Sequence, residues 1–160
     1  MKRRGKQLAL AGGVVAVTVL LVVLNPFKPD NASLRLRPGD TKVTELGRQI
    51  YVNRCAACHG AKLEGQPAWR ERDAQGRLPA PPHDASGHTW HHTDDLLFRI
   101  TKFGVAKAAN MPTYESVMPA YEGVLRDDEI VAVLSWIKSQ WPAGIQSKHD
   151  EMNRSVNSQR

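Results

Sequence analysis

Both cysteines of the 160-residue chain lie in one short motif, Cys55-Ala56-Ala57-Cys58-His59. In the C-x-x-C-H arrangement each thiol can form a thioether to a vinyl group of haem, and the adjacent imidazole can ligate the iron. Two cysteines are too few for a disulfide scaffold. The motif therefore predicts covalent attachment of one haem, with Cys55 and Cys58 bonded to the porphyrin and His59 as the proximal iron ligand.

Three other uses of the cysteine motif fit the sequence less well than haem attachment. A thioredoxin-like redox pair needs C-x-x-C at the start of a helix within a strand–helix–strand unit, and no strand pattern is visible in the sequence. A zinc site needs two further ligands, which nearby histidines could supply, but it leaves His59 without a role. A disulfide between residues three apart is sterically poor. Haem attachment is favoured because it uses both thiols and the imidazole.

Two methionines, Met111 and Met118, each precede a proline and are candidates for the second axial ligand. A thioether is a soft, neutral ligand that stabilises reduced iron, and it closes the coordination sphere. Met118 lies nine residues before a predicted helix start at Asp127 and continues into Pro-Ala-Tyr, whereas Met111 would have to bridge sixteen residues. The pattern favours Met118, with Met111 as the alternative.

Four histidines fall within ten residues of the loop that follows the motif: His83, His88, His91 and His92. This density could bind a second metal such as copper, or supply a second imidazole ligand to the haem. Bis-histidine ligation would leave the Met118 segment unexplained. We therefore expect a polar loop beside the haem edge and no second metal.

Three amphipathic helices are expected to position these residues. The first begins at Asp40 or Thr41 and ends at Arg54, the second runs from Thr93 to Gly104, and the third runs from Asp127 to Pro142. The class is therefore all-α. Two long loops separate the helices, and ordinary compact domains seldom contain such loops. A bound cofactor is expected to complete the core.

The chain resembles the class I c-type cytochromes over roughly residues 40–142. The resemblance is carried by residues of the first helix and the attachment loop, namely Gly47, Tyr51, Cys55, Cys58, His59 and Gly60. It is also carried by Met118-Pro119-Ala120-Tyr121, which is similar to the family's distal-ligand segment and precedes a final amphipathic helix.

The resemblance implies a small cytochrome c fold, in which three main helices wrap around one covalently attached haem c with His/Met ligation. In that family a proline carbonyl accepts a hydrogen bond from the axial histidine. Pro82 is the position that matches, and Pro81 is its rival. Gly47 would allow the third helix to approach the first closely, with Trp136 covering it.

The N-terminus combines a basic flank with an apolar run. Leu8–Leu24 carries no charge and would span roughly 25 Å as a helix. No small-residue cleavage site follows, so residues 1–24 are interpreted as an uncleaved signal anchor, a transmembrane helix; a cleaved signal is the alternative. Residues 25–39 contain three prolines and are predicted to form an extended tether. Residues 40–142 form the cytochrome c domain, and residues 143–160 a polar tail.

The distribution of charge argues against a nucleic acid partner. The formal net charge is +6, but four of the basic residues precede the apolar run, which leaves a net charge of +2 on the rest of the chain. Basic residues ahead of an apolar span stay in the cytoplasm, so the haem domain is expected on the outer, periplasmic side of the inner membrane.

These features predict a membrane-anchored monohaem electron carrier that works between respiratory partner proteins and is not an enzyme by itself. The alternatives are a subunit of a membrane oxidase or dehydrogenase complex, a haem sensor or peroxidase-like enzyme with an open distal site, and a haem- and copper-handling protein.

Overall fold

A computed structural model describes residues 34–159, and its regular elements are all helical within that range. In chain order the helices are α1 (Thr41–Arg54), α2 (Ala56–His59), α3 (Asp94–Phe103), α4 (Val105–Ala108), α5 (Asp127–Ser139) and α6 (Ala143–Asn157). A 3₁₀ turn at Thr89–His91 precedes α3. The predicted all-α class is confirmed for this part of the chain, and α1, α3 and α5 are the three predicted helices.

Each of these three helices begins where a side chain satisfies free backbone N–H groups. Asp40 accepts hydrogen bonds from the first turn of α1 at 3.1 and 3.2 Å, and Thr93 accepts one from the first turn of α3 at 3.3 Å. Glu129 reaches back to the backbone N–H of Arg126 at 2.9 Å before α5. Such caps stabilise a helix start by about 1 kcal/mol each, which explains why the predicted starts were accurate.

Helix α5 packs against both α1 and α3, and it comes very close to α1 at Gly47. A Cβ atom at Gly47 would overlap the carbonyl oxygen of Ala132 and lie 2.9 Å from the Cβ of Trp136. The Trp136 ring lies 4.6 Å from that of Tyr51, one turn along α1. The expected close crossing at Gly47, covered by Trp136, is confirmed.

The segment before α1 lies against the domain over its described residues. Leu36 is buried, and its N–H donates to the carboxylate of Asp94 at 2.9 Å, while the N–H of Arg37 donates to Ser135 Oγ at 2.9 Å. Residues 34–39, assigned to the tether from their composition, therefore have two fixed attachments to α3 and α5.

The polar C-terminal segment forms helix α6, which packs on the start of α3 through a buried histidine. His149 donates from Nε2 to the carbonyl oxygen of His92 at 2.8 Å, and Asn153 accepts from the N–H of Asp94 at 2.8 Å. Lys138 of α5, also buried, pairs with Asp150. The packed structure thus continues past Pro142 into residues 143–160, which the sequence predicts to be a polar tail.

Between residues 34 and 159 no helix is both long enough and apolar enough to cross a membrane. The predicted anchor at residues 1–24 and the tether up to residue 33 lie outside the described residues.

Candidate cofactor-binding site

The cysteine motif forms a single helical turn directly after α1. Cys55 ends α1, and its carbonyl oxygen accepts from the N–H of Cys58 at 3.1 Å and from that of His59 at 2.9 Å. Residues three and four apart lie on one face of a helix, so this turn brings both cysteines and the histidine to the same side. Both thiols are free, with Cys58 exposed and Cys55 half-buried.

The environment of Cys55 keeps its thiol protonated. Burial raises the pKa of Cys55 to about 11, and the nearby Cys58 acts in the same direction, while a hydrogen bond with Tyr121 opposes them. A reactive redox cysteine or a zinc ligand needs a stabilised thiolate, which a raised pKa disfavours. A neutral thioether carries no such cost at this position.

Two tyrosines hold the motif at its two ends. Tyr51, fully buried in α1, donates from its hydroxyl to the carbonyl oxygen of Gly60 at 2.7 Å. Tyr121 donates to the carbonyl oxygen of Arg54 at 2.8 Å. Burial raises the pKa of both phenols, so both remain protonated donors at neutral pH. The loop that carries the thiols and His59 is therefore held at Arg54, just before Cys55, and at Gly60, just after His59.

A backbone acceptor holds the His59 ring by one of its two nitrogens. Its side chain is buried, and its Nδ1 lies 2.8 Å from the carbonyl oxygen of Pro81. A carbonyl oxygen only accepts hydrogen bonds, so Nδ1 carries the proton and Nε2 keeps its lone pair. Burial lowers the pKa of His59, an effect that the Pro81 hydrogen bond partly opposes. The neutral ring thus offers Nε2 to a metal ion, with Nδ1–H held by a fixed acceptor.

The prediction that Pro82 supplies this acceptor is corrected: the carbonyl belongs to Pro81, its rival. A Cβ atom on Gly65 would lie 2.7 Å from the carbonyl carbon of Pro81 and 2.5 Å from the nitrogen of Pro82, so the bare backbone of Gly65 seats this peptide. The carbonyl oxygen of Pro82 instead lies 3.4 Å from Thr89 Oγ1.

Three of the four loop histidines stack on other aromatic rings, and the fourth, His92, meets His88 edge-on with ring centroids 5.3 Å apart. His83 stacks on His59, His88 stacks on Trp69 with ring centroids 5.4 Å apart, and His91 stacks on Trp90 at 3.7 Å. Among residues 34–159, no group of three or more His, Cys, Asp or Glu side chains is placed to hold a metal ion. Sequence reasoning treated the four as one cluster and missed the contact between His83 and His59.

The segment that carries Met118 is docked close to the cysteine motif. Three residues after Met118, the N–H of Tyr121 donates to the carbonyl oxygen of Thr101 at 3.0 Å, and the Tyr121 hydroxyl reaches Arg54. Met118 itself is half-buried. Met111 is 46% exposed, and its N–H is bonded to the carbonyl oxygen of Ala106.

These residues fit a haem by the chemistry of their donors. Two thiols, an imidazole with a free Nε2 and a nearby thioether are the groups that attach and ligate a c-type haem. The buried Nε1–H of Trp90 also has no hydrogen-bond partner among the described residues. A buried donor without an acceptor is costly, and a carboxylate of a bound group would satisfy it.

The same assignment comes from comparison with known proteins. The Cytochrome c family model matches residues 44–141. The chain is 28% identical over 95 residues to the Cbb3-type cytochrome c oxidase subunit FixP of Bradyrhizobium diazoefficiens, a match that covers 58% of this chain. The matched region spans only 29% of the length of that relative. No solved structure gives a significant match.

Proposed function

The chain belongs to the cytochrome c family, whose members carry covalently bound haem c, and from this premise we propose that it is a one-electron carrier attached to a bacterial cytoplasmic membrane. Cys55 and Cys58 form the thioethers, His59 is the proximal ligand and Met118 is the distal ligand. When bound, the haem supplies a single iron that alternates between the ferric and ferrous states.

The single observation that carries this proposal is the hydrogen bond from His59 Nδ1 to the Pro81 carbonyl oxygen. It gives His59 the tautomer and orientation of a metal ligand, and it increases the electron donation of the ring. A reactive thiol pair would have no use for a histidine held in this way. The neutral Cys55 thiol supports the same assignment.

Met118 is favoured over Met111 as the distal ligand because of the anchors that follow it. Tyr121 ties the Met118 segment to the end of α1, where the cysteine motif begins. The half-exposed Met111 belongs to the turn after α4. If the His59 imidazole and the Met118 thioether both held the iron, no site would be left for a substrate, and the protein would carry electrons without performing chemistry on a small molecule.

The location follows from the N-terminal sequence. Four basic residues precede the apolar run Leu8–Leu24, which orients a single span with the haem domain on the outer, periplasmic side. An anchor restricts the domain to membrane neighbours and raises their effective concentration. The partners would be respiratory proteins, and contacts between such redox proteins are small and transient.

A role as a subunit of a membrane oxidase complex is the second candidate, favoured by the similarity to a relative named as a cbb3-type oxidase subunit. Purification in mild detergent separates the two. A carrier is recovered as a single chain, whereas a subunit is recovered with its oxidase.

The haem ligation is tested on the oxidised holoprotein by absorption spectroscopy. The far-red charge-transfer band of sulfur-ligated ferric haem is expected in the wild type and in Met111→Ala, and it should disappear in Met118→Ala. A wild-type protein that is high-spin and binds carbon monoxide readily would contradict the carrier and favour an open-site sensor or peroxidase.

The anchor is tested by fractionation of cells that express the full chain. We expect the haem in the membrane fraction, released by detergent but not by high salt. A variant in which a cleavable secretion leader replaces residues 1–24 should be recovered as soluble periplasmic holoprotein. Recovery of the full chain in the soluble fraction would contradict the anchor.

A further inference from the structure

His83 lies face to face with the histidine that we assign as the proximal ligand. The ring centroids of His83 and His59 are 3.9 Å apart, and the ring planes differ by 21°. Nothing in the motif requires an imidazole at this position, because an aliphatic side chain could also fill the space behind His59. Any role of the second imidazole in tuning the haem rests on the function proposed above.

The backbone of His83 is held from two sides. Its N–H donates to the carbonyl oxygen of Leu63 at 2.8 Å, and its own carbonyl oxygen accepts from Nε1 of Trp141 at 2.8 Å. Leu63 and Trp141 are both buried members of the core. The position of His83 is therefore determined by the core and does not depend on its contact with His59.

The ring of His83 is also fixed. Its Nδ1 lies 2.8 Å from Thr89 Oγ1, and the same hydroxyl lies 3.4 Å from the Pro82 carbonyl oxygen. With the proton on Nδ1, His83 donates to Thr89 and Thr89 donates to Pro82, so each contact has one donor. Tyr51 approaches the His83 ring edge-on, with centroids 6.4 Å apart. The imidazole is thus held in one plane.

His59 has a weaker constraint on its plane. Its hydrogen bond to the Pro81 carbonyl oxygen fixes where Nδ1 points, but carbonyl acceptors tolerate a broad range of approach directions. Rotation of the ring about the line through Nδ1 and Nε2 changes that bond little. The same rotation would break the parallel stack on His83, because a ring 3.9 Å away leaves no room for it.

We propose that His83 is a positioning residue that sets the plane of the His59 ring and lowers the reduction potential of the haem. The plane of an axial imidazole determines its overlap with the iron orbitals. The stacked ring also places a polar, electron-rich face against a ligand that becomes more positive when the iron is oxidised, so it stabilises the ferric state. An aliphatic side chain would provide neither effect.

Three substitutions separate the contributions of His83. His83→Leu removes both the aromatic face and the bond to Thr89, whereas His83→Asn keeps a polar atom within reach of Thr89 and removes the face. Thr89→Val leaves the imidazole in place and frees its plane. His91→Leu is the matched control, because His91 belongs to the same loop but stacks on Trp90.

The test uses full-length holoprotein, with electron paramagnetic resonance of the ferric state and redox titration as readouts. His83→Leu and His83→Asn should raise the midpoint potential and shift the principal g values, while the far-red sulfur band is retained. Thr89→Val should give a smaller shift in the same direction, and His91→Leu should match the wild type.

Potentials and g values in His83→Leu and His83→Asn that equal those of the wild type would overturn the proposal. If His83→Leu fails to hold haem, His83→Asn and Thr89→Val decide the question by the same two readouts. The wild-type spectrum separates the two levels of inference. A wild type without low-spin His/Met ligation refutes the proposed function, whereas a low-spin wild type with unresponsive His83 variants refutes only the role of His83.

Discussion

The hydroxyl of Tyr121 donates to the carbonyl oxygen of Arg54 at 2.8 Å, across 67 residues of sequence. Arg54 is the last residue of α1 and precedes Cys55, while Tyr121 follows Met118 by three residues. One hydrogen bond therefore joins the segment that carries the proposed proximal ligand to the segment that carries the proposed distal ligand. This contact limits how far the segments of His59 and Met118 can move apart.

Tyr121→Phe should loosen Met118, the proposed distal ligand, while leaving the fold intact. The ring remains, but the Arg54 carbonyl oxygen loses its donor, which costs about 1 kcal/mol of unfolding free energy. We expect the far-red sulfur band to disappear at a lower temperature and external ligands such as imidazole to bind faster. Tyr114→Phe, in the loop between Met111 and Met118, serves as the control and should behave like the wild type.

Gly47→Ala should destabilise the domain, because a Cβ atom there would overlap the Ala132 carbonyl oxygen and force α1 and α5 apart. Overpacking of this kind costs roughly 1–3 kcal/mol. Gly144→Ala is the matched control, since Gly144 lies in α6 with open space around it, and there alanine should stabilise by up to about 1 kcal/mol. Urea denaturation of both variants measures the difference; equal effects would contradict close packing at Gly47.

Local sequence signals predicted the positions of the three main helices well. Asp40, Thr93 and Glu129 accept hydrogen bonds from backbone N–H groups at the starts of α1, α3 and α5. Each of these bonds joins residues two or three apart, so the sequence alone is enough to predict it. The close crossing at Gly47 is also predictable, because glycine inside a helix lowers its stability and is favoured where a second helix must approach closely.

The errors arose where the outcome depends on residues distant in sequence. The choice between the Pro81 and Pro82 carbonyls is decided by Gly65, which seats the peptide between the two prolines. The stack of His83 on His59 depends on Leu63, Trp141 and Thr89, none of which forms a motif with it. Helix α6 is hard to predict because its sequence is polar and the one buried residue of the helix is a histidine.

Gly65→Ala tests whether the Pro81 carbonyl oxygen is the acceptor for His59, the proposed proximal ligand. The new Cβ atom would displace the Pro81–Pro82 peptide and weaken the bond to His59 Nδ1. A weaker bond reduces electron donation by the imidazole, so the ferric state loses stabilisation and the midpoint potential should rise. Redox titration of the holoprotein measures the change.

Gly76→Ala is a closely matched control for Gly65→Ala. Gly65 has φ = 70° and Gly76 has φ = 78°, so alanine strains the backbone similarly at both, but nothing lies within 4 Å of a Cβ atom at Gly76. Both variants should lose stability, and only Gly65→Ala should shift the potential. Equal potentials in the two variants would argue against Pro81 as the acceptor.

The buried His149 of α6 predicts a loss of stability at mildly acidic pH. Burial lowers the pKa of His149 below its ordinary value of 6.5, and nearby Lys138 acts in the same direction. The hydrogen bond to His92, together with Asp94 and Asp150, opposes the shift without reversing it. In the folded protein the ring is therefore neutral under conditions in which the unfolded chain already binds a proton.

The sign of the pH dependence follows from this difference in proton binding. Well above pH 6.5, His149 is unprotonated in both the folded and the unfolded state, and its contribution to stability is fully present. As the pH falls from 6.5 towards the lower pKa of the folded state, the unfolded state gains the proton first. The free energy of unfolding therefore declines over this range. One proton gives a slope of at most about 1.4 kcal/mol per pH unit.

His149→Gln keeps a side-chain N–H that can reach the His92 carbonyl oxygen but removes the titrating group. We expect it to be less stable than the wild type at about pH 7.5 and to lose less stability as the pH is lowered to about 5, so that the two stability curves converge. All other side chains are the same in both proteins, so their contributions cancel in the difference. Urea denaturation at several pH values gives the two curves, and parallel curves would rule out His149 as the source of the acid sensitivity.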